Sequence, residues 1–144
     1  MATERHAEVS WSGSLLEGSG TIERVGSGAF GPLDVTWASR AEEPAGRTSP
    51  EELIAAAHAA CFSMALSDEL AQAGSATERL ATRAAVTFVP GTGITKIALA
   101  VRGRVPGIDE DRFREVAEAA KEGCPVSQAL AAVPEITLDA TLES

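Results

Sequence analysis

The sequence predicts an α+β fold with mostly antiparallel sheet, in a single domain over residues 1–144. Three observations carry that expectation. Apolar and polar residues alternate with period two in several short runs, most clearly at 94–105 and 135–143. One long stretch, 48–74, has the start and stop signals of a single helix. The order is strands, long helix, hairpin, two helices, strand.

Residues 6–12 alternate, with Ala7, Val9 and Trp11 on one face and His6, Glu8 and Ser10 on the other, as in a half-buried strand. Gly13 to Gly20 is a turn region. Residues 21–25 and 33–39 are further short strands, the second placing Leu33, Val35 and Trp37 on one face. Gly26, Gly28 and Gly31 break the chain between them without forming a phosphate loop, since no Lys-Ser/Thr follows and no helix opens there. Residues 40–47 form a polar loop with Pro44 and Gly46.

In the long helix Ser49 is the candidate N-cap, Pro50 fits the first helical position and Glu52 closes a capping box. Gly74 stands where a left-handed C-cap belongs. From Leu53 to Ser67 the only titratable groups are His58 and Cys61, which predicts a buried helix without a polar face. The apolar run is short of the ~20 residues a membrane span needs. Ala55, Ala56, Ala57, Ala59 and Ala60 fill little volume, and such a face suits close approach of another backbone.

Residues 80–89 and 94–105 form a hairpin about Pro90-Gly91-Thr92-Gly93. Ile97, Leu99, Val101 and Val105 face in, while Lys96, Arg102 and Arg104 make a solvated outer face. Pro106-Gly107 ends the strand. Asp109 caps the next helix, Ile108 and Phe113 staple it, and Phe113, Val116, Ala117 and Ala120 form its inner stripe. Gly123 ends it. Cys124 and Pro125 open a short helix over 126–131. The terminal strand, 135–143, turns Ile136, Leu138, Ala140 and Leu142 inward.

The net charge of −9 repels phosphate backbones and anionic membranes, which argues against nucleic-acid binding. The N-terminus is not signal-like, no transmembrane run is present, and the cytoplasm is the expected address. Aromatics are scarce at 4%, so dimerisation would help complete the core. Two cysteines are too few for a disulfide scaffold. In a reducing compartment such a pair is more often catalytic, redox-active or metal-binding. Two Cys and two His without ligand spacing argue against a metal.

Cys124 precedes Pro125 and is therefore the N-cap of the short helix, where free N–H groups and the helix dipole favour the thiolate. Cys61 is mid-helix among alanines. Burial alone raises its pKa, so reactivity there needs a nearby cation. On these grounds alone, Cys61 as a small buried hydrophobe and Cys124 as an incidental cap remain open. His58 suits a core or interface position, and Arg40 and Arg47 read as loop charges.

The segments Ser49-Pro50-Glu51-Glu52-Leu53-Ile54, Ala56-Ala57-His58-Ala59-Ala60-Cys61-Phe62-Ser63-Met64-Ala65-Leu66 and Gly123-Cys124-Pro125-Val126-Ser127-Gln128-Ala129-Leu130 resemble the osmotically inducible protein C (OsmC) and organic hydroperoxide resistance (Ohr) family. Ile94-Thr95-Lys96-Ile97, Val105-Pro106-Gly107 and Ile136-Thr137-Leu138 extend the likeness over most of the chain. His58 places it nearer the osmotically inducible branch.

The resemblance implies an intertwined homodimer whose sheets wrap two central helices, and a thiol peroxidase of organic hydroperoxides. It assigns the peroxidatic role to Cys61, the resolving role to Cys124, and active-site roles to Glu51 and Arg40. Ala41 stands where family members often have an aromatic, and Arg47 is the other candidate for the arginine. Arg40 would stabilise the Cys61 thiolate, with Glu51 holding the guanidinium. The thiolate would become a sulfenic acid, Cys124 would condense with it to a disulfide, and an external dithiol of lipoyl type would reset the pair. No metal or organic cofactor is implied.

Glu51 and Cys61 are ten positions apart on one helix, a rise of ~15 Å. A shared site therefore calls for two antiparallel copies of the helix, Glu51 of one reaching Cys61 of the other. The competing readings are a carrier of hydrophobic ligands and a redox sensor on the same scaffold.

Overall fold

The computed structural model describes residues 1–143, which form two compact units divided between Leu53 and Ile54. The first unit holds an antiparallel three-stranded sheet in the order β1 (Ala7–Ser12), β2 (Ser19–Val25), β3 (Leu33–Val35). Strand β1 differs from the half-buried expectation: all six of its residues are exposed, including Val9 and Trp11. Its alternation is intact, but no other element of its own unit covers its apolar face.

The strand predicted over 33–39 ends at Val35. Thr36 caps a short helix, α1 (Trp37–Ala41), in which the Thr36 hydroxyl accepts from Ser39 N–H and the Ser39 hydroxyl accepts from Thr36 N–H. Trp37 and Arg40 are therefore helical, because a reciprocal Thr-x-x-Ser box at this point satisfies two amides that a strand edge would leave open. Val35 makes a parallel bridge to Thr48, and the buried Ser39 hydroxyl lies 2.8 Å from Thr48 O. These bonds tie α1 to the start of helix α2 (Pro50–Gln72).

Ser49 is the cap of α2, its hydroxyl accepting from Glu52 N–H at 3.1 Å. The box is not closed as expected. The Glu52 carboxylate accepts from the Thr48 hydroxyl instead. At the far end Gly74, with φ of +90°, turns the chain out of the helix.

The second unit contains α2 from Ile54 onward and a sheet in the order β4 (Arg79–Val89), β5 (Gly93–Arg104), β6 (Glu135–Leu142). Strands β4 and β5 are antiparallel, whereas β6 runs parallel to β5, Ile97 facing Ile136 and Val101 facing Ala140. A parallel neighbour needs a long crossover, supplied here by α3 (Glu110–Gly123) and α4 (Pro125–Ala129).

The core joins Phe62, Leu66 and Leu70 of α2, Ile97, Leu99 and Val101 of β5, and Phe113, Val116, Ala117 and Ala120 of α3. Every residue of the inner stripe expected on α3 is buried, and Asp109 caps that helix. Lys96, Arg102 and Arg104 form the outer face and pair with Glu135, Glu143 and Glu78.

Helix α2 is less buried than its composition predicts. Ala56, Ala57, Ala60 and Met64 are exposed. An 18-residue window of the helix reaches a mean hydropathy of 1.2, enough by length and composition to cross a membrane. Its largest side chains, Phe62, Leu66 and Leu70, are instead fully buried in the protein core. The uncovered stripe is made of small residues and one methionine.

Candidate active site: an arginine–glutamate pair and a pair of thiols

In the first unit Arg40 and Glu51 meet. The bonds described above hold α1 against the start of α2, where Glu51 is the second helical residue. Arg40 Nε lies 3.0 Å from Glu51 Oε1 and Nη2 lies 2.8 Å from Oε2, a two-pronged charge-assisted pair. The Glu51 side chain is 8% exposed and that of Arg40 31%. The carboxylate is committed to Arg40, not to Arg47, which is exposed in a turn closed by its own N–H on Pro44 O.

In the second unit both cysteines are free thiols, Cys61 packed against the buried cluster that contains Cys124. Cys61 is partly buried on α2, and Cys124 is fully buried at the α3–α4 junction, where it is the N-cap of α4. Each sulfur acts on the other. Burial pushes the Cys61 thiol up, and the Cys124 sulfur pushes it further in the same direction by accepting its hydrogen and repelling its charge. The Val126 N–H partly offsets this.

Burial would raise Cys124 too, but there the donors win. The Ser127 N–H, the Cys61 thiol, the Ser127 hydroxyl and the Val126 N–H together bring its pKa below the ordinary thiol value. These donors act on the sulfur without any of them making a full capping hydrogen bond to it. Within the chain, then, Cys124 is the thiol that ionises more readily and Cys61 the one that ionises less readily.

His58, one turn before Cys61, is fully buried, and its Nε2 lies 2.7 Å from the Ser127 hydroxyl. Burial lowers its pKa and keeps it neutral near pH 7. The sequence reading assigns no role to Ser127, which stands in the Gly123–Leu130 motif three positions after Cys124. Among the described residues no group of His, Cys, Asp and Glu could hold a metal ion.

A family model described as OsmC-like protein matches residues 43–139. Peroxiredoxin OsmC of Escherichia coli (strain K12) is 44% identical over 147 aligned residues that cover 100% of both chains. Among solved structures, an OsmC like protein from Mycoplasma pneumoniae superposes with a TM-score of 0.73 at 18% identity, covering 100% of both chains. The organic hydroperoxide resistance protein OhrB of Bacillus subtilis does so with a TM-score of 0.62 at 24% identity, over 96% of this chain and 98% of that one. The structural likenesses speak for the α+β fold alone, whereas the family model and the full-length relative establish membership: the chain belongs to the OsmC-like protein family.

Proposed function

We propose that this chain is a thiol peroxidase that reduces organic hydroperoxides to alcohols, with Cys61 as the peroxidatic cysteine and Cys124 as the resolving one. The observation that carries the reading is that the chain's only two cysteines share one packed cluster, Cys61 on α2 and Cys124 at the N-cap of α4, and that each sulfur shifts the other's ionisation. The full-length relative named a peroxiredoxin supports it.

In the first step the Cys61 thiolate attacks the outer peroxide oxygen. The O–O bond breaks, the alkoxide leaves and takes a proton to become the alcohol, and Cys61 becomes a sulfenic acid. In the second, the Cys124 thiolate attacks the Cys61 sulfur. The S–S bond forms, and hydroxide leaves and is protonated to water. An external dithiol of lipoyl type then returns both thiols by exchange. The uncharged run Leu53–Ser67, on which Met64 is exposed, suits an alkyl tail better than hydrogen peroxide, which has no apolar part.

Cys61 needs a cation that burial does not supply, and Arg40, held by Glu51, is the group of the right kind. We place it on a second copy of the chain. The ~15 Å of helix between positions 51 and 61 separates them within one copy. The uncovered Ala56, Ala57, Ala60 and Met64 stripe offers a face on which two α2 helices can cross antiparallel. Because Arg40 is bonded to Glu51 within one chain, both would arrive together. The exposed Val9 and Trp11 of β1 would find cover in the same homodimer.

The test is steady-state turnover with a lipoyl dithiol, comparing cumene hydroperoxide with hydrogen peroxide. The reading expects many turnovers, preference for the alkyl peroxide, and loss of activity in Cys61→Ser. A carrier would bind the peroxide without consuming it, and a sensor would stop after one oxidation.

A further inference from the structure

His58 and Ser127 take no part in the two steps above, yet they are buried polar groups bonded to each other, His58 Nε2 lying 2.7 Å from Ser127 Oγ. The bond joins α2 to α4 across 69 positions of sequence. Its direction follows from the other ring nitrogen. Nδ1 is buried without a hydrogen-bond partner among the described residues. A proton there would orphan a buried N–H, whereas a proton on Nε2 orphans only a lone pair, the more tolerable of the two vacancies. Nε2 therefore donates and the serine oxygen accepts.

Each end of the bond sits one turn from a cysteine. His58 precedes Cys61 by three positions on α2, a spacing that makes them neighbours along the helix surface. At the other end, α4 is five residues long and Cys124 is its N-cap. Gln128 N–H donates to Cys124 O at 3.0 Å, so Cys124 and Ser127 belong to one closed backbone turn. A shift of Ser127 along α2 carries the Cys124 backbone with it. Val126 and Leu130 also pack this segment against the core, but apolar contact is non-directional and sets no register. A hydrogen bond has a preferred length and angle, and does.

We propose that the His58–Ser127 bond is a pin that holds the α4 turn in register on α2 and so sets the approach of the Cys124 sulfur to Cys61. The role rests on the two-cysteine reading above; the bond does not. Both residues act through the backbone that carries the sulfurs and are positioning residues. Two thiols on fixed supports form a disulfide as if at high concentration, and a loosened support lowers that effective concentration. Disulfide formation consumes neither the donor nor the acceptor of the pin, which therefore favours the disulfide over the dithiol.

The test is the equilibrium of the Cys61–Cys124 pair with glutathione, which needs no peroxide. One glutathione disulfide is broken for each protein disulfide formed, and two glutathione thiols are released. The oxidised fraction is read by alkylation and intact mass. In His58→Leu, which fills the space without a donor, the equilibrium is expected to move about tenfold toward the dithiol, ~30 mV. Ser127→Ala moves it the same way, and the double variant moves it no further than the larger single shift. His58→Gln, which keeps an N–H donor, and Ser127→Thr, which keeps the hydroxyl, restore it. Unshifted equilibria in folded His58→Leu and Ser127→Ala, or shifts that add in the double variant, would overturn the pin. If Ser127→Ala does not fold, because it strands the buried His58 N–H, His58→Leu decides alone.

With one equivalent of cumene hydroperoxide and a sulfenic-acid trap, the Cys61 sulfenic acid should survive about tenfold longer in His58→Leu than in the unsubstituted protein. Disulfide formation at an undiminished rate in that variant sinks the role by itself. If the unsubstituted protein forms the disulfide with glutathione but not with peroxide, the peroxidase reading fails and the pin stands. If it forms the disulfide with neither, both fail.

Discussion

Arg40 and Glu51 lock together across the segment that joins α1 to α2, with Nη2 2.8 Å from Oε2 and Nε 3.0 Å from Oε1. Two parallel bonds fix the plane of the guanidinium as well as its position. Arg40→Lys keeps the charge but not the fork, so it is expected to fold and to lose about tenfold or more in peroxide turnover. Glu51→Ala leaves a partly buried guanidinium without its carboxylate. With Arg40 about a third open to solvent, screening reduces the stability cost to about 1–2 kcal/mol, readable by urea denaturation.

If two copies share each site, complementation follows. A Glu51→Ala chain retains its Cys61, and a Cys61→Ser chain retains its Glu51. A mixed dimer of the two should keep one working site, well above either mutant homodimer. Turnover of the separated heterodimer, purified with two different tags, measures this. Activity no greater than that of the homodimers would place Glu51 and Cys61 of one chain in the same site.

His58 should make stability depend on pH. Unfolded, the imidazole takes a proton near 6.5, whereas folded it does so only at lower pH. Between those values the unfolded chain binds more protons, so stability falls as pH drops from 6.5 through the lowered folded value. In His58→Leu this part of the slope should vanish. Chemical denaturation at a series of pH values reads it, and equal slopes in both proteins would contradict the burial of a neutral His58.

Gly103 is an inward position of β5 left empty for a ring. A Cβ built there would meet Phe113 Cζ at 2.6 Å and Leu80 Cδ2 at 3.2 Å. Gly103→Ala should therefore destabilise by about 1–3 kcal/mol through overpacking. Phe113→Leu should relieve part of that cost in the double variant. Thermal melts of the four proteins of this cycle check it, and additive effects would mean that the ring is not the obstacle.

Much of the second unit is legible in the sequence because its signals are local. Asp109 and the stripe through Phe113 and Ala120 fix α3, and the alternation of Ile97, Leu99 and Val101 fixes the inner face of β5. The parallel pairing of β6 is not local. Its alternation says which side chains turn inward and nothing about which direction the neighbour runs. Trp37 looked like a strand residue because two alternating apolar residues precede it, while the Thr36–Ser39 box that starts a helix there outweighs the pattern. The exposure of Val9, Trp11 and Met64 is illegible for another reason: composition says that such residues want cover, not whether the chain itself provides it. At the site, the cysteines and Glu51 stand in recognisable motifs. Ser127 stands in the Cys124 motif as well, but its bond to His58 is not legible there, since the two meet only when α4 packs on α2.

The most direct test of the central claim is a single-turnover reaction of the reduced protein with one equivalent of cumene hydroperoxide, followed by peptide mapping under non-reducing conditions. The expected product is a Cys61–Cys124 disulfide formed within one chain, with one equivalent of cumyl alcohol released. In Cys124→Ser the reaction should stop at the Cys61 sulfenic acid. Peroxide left unconsumed, or oxidation found on Cys124 while Cys61 stays reduced, would contradict the account.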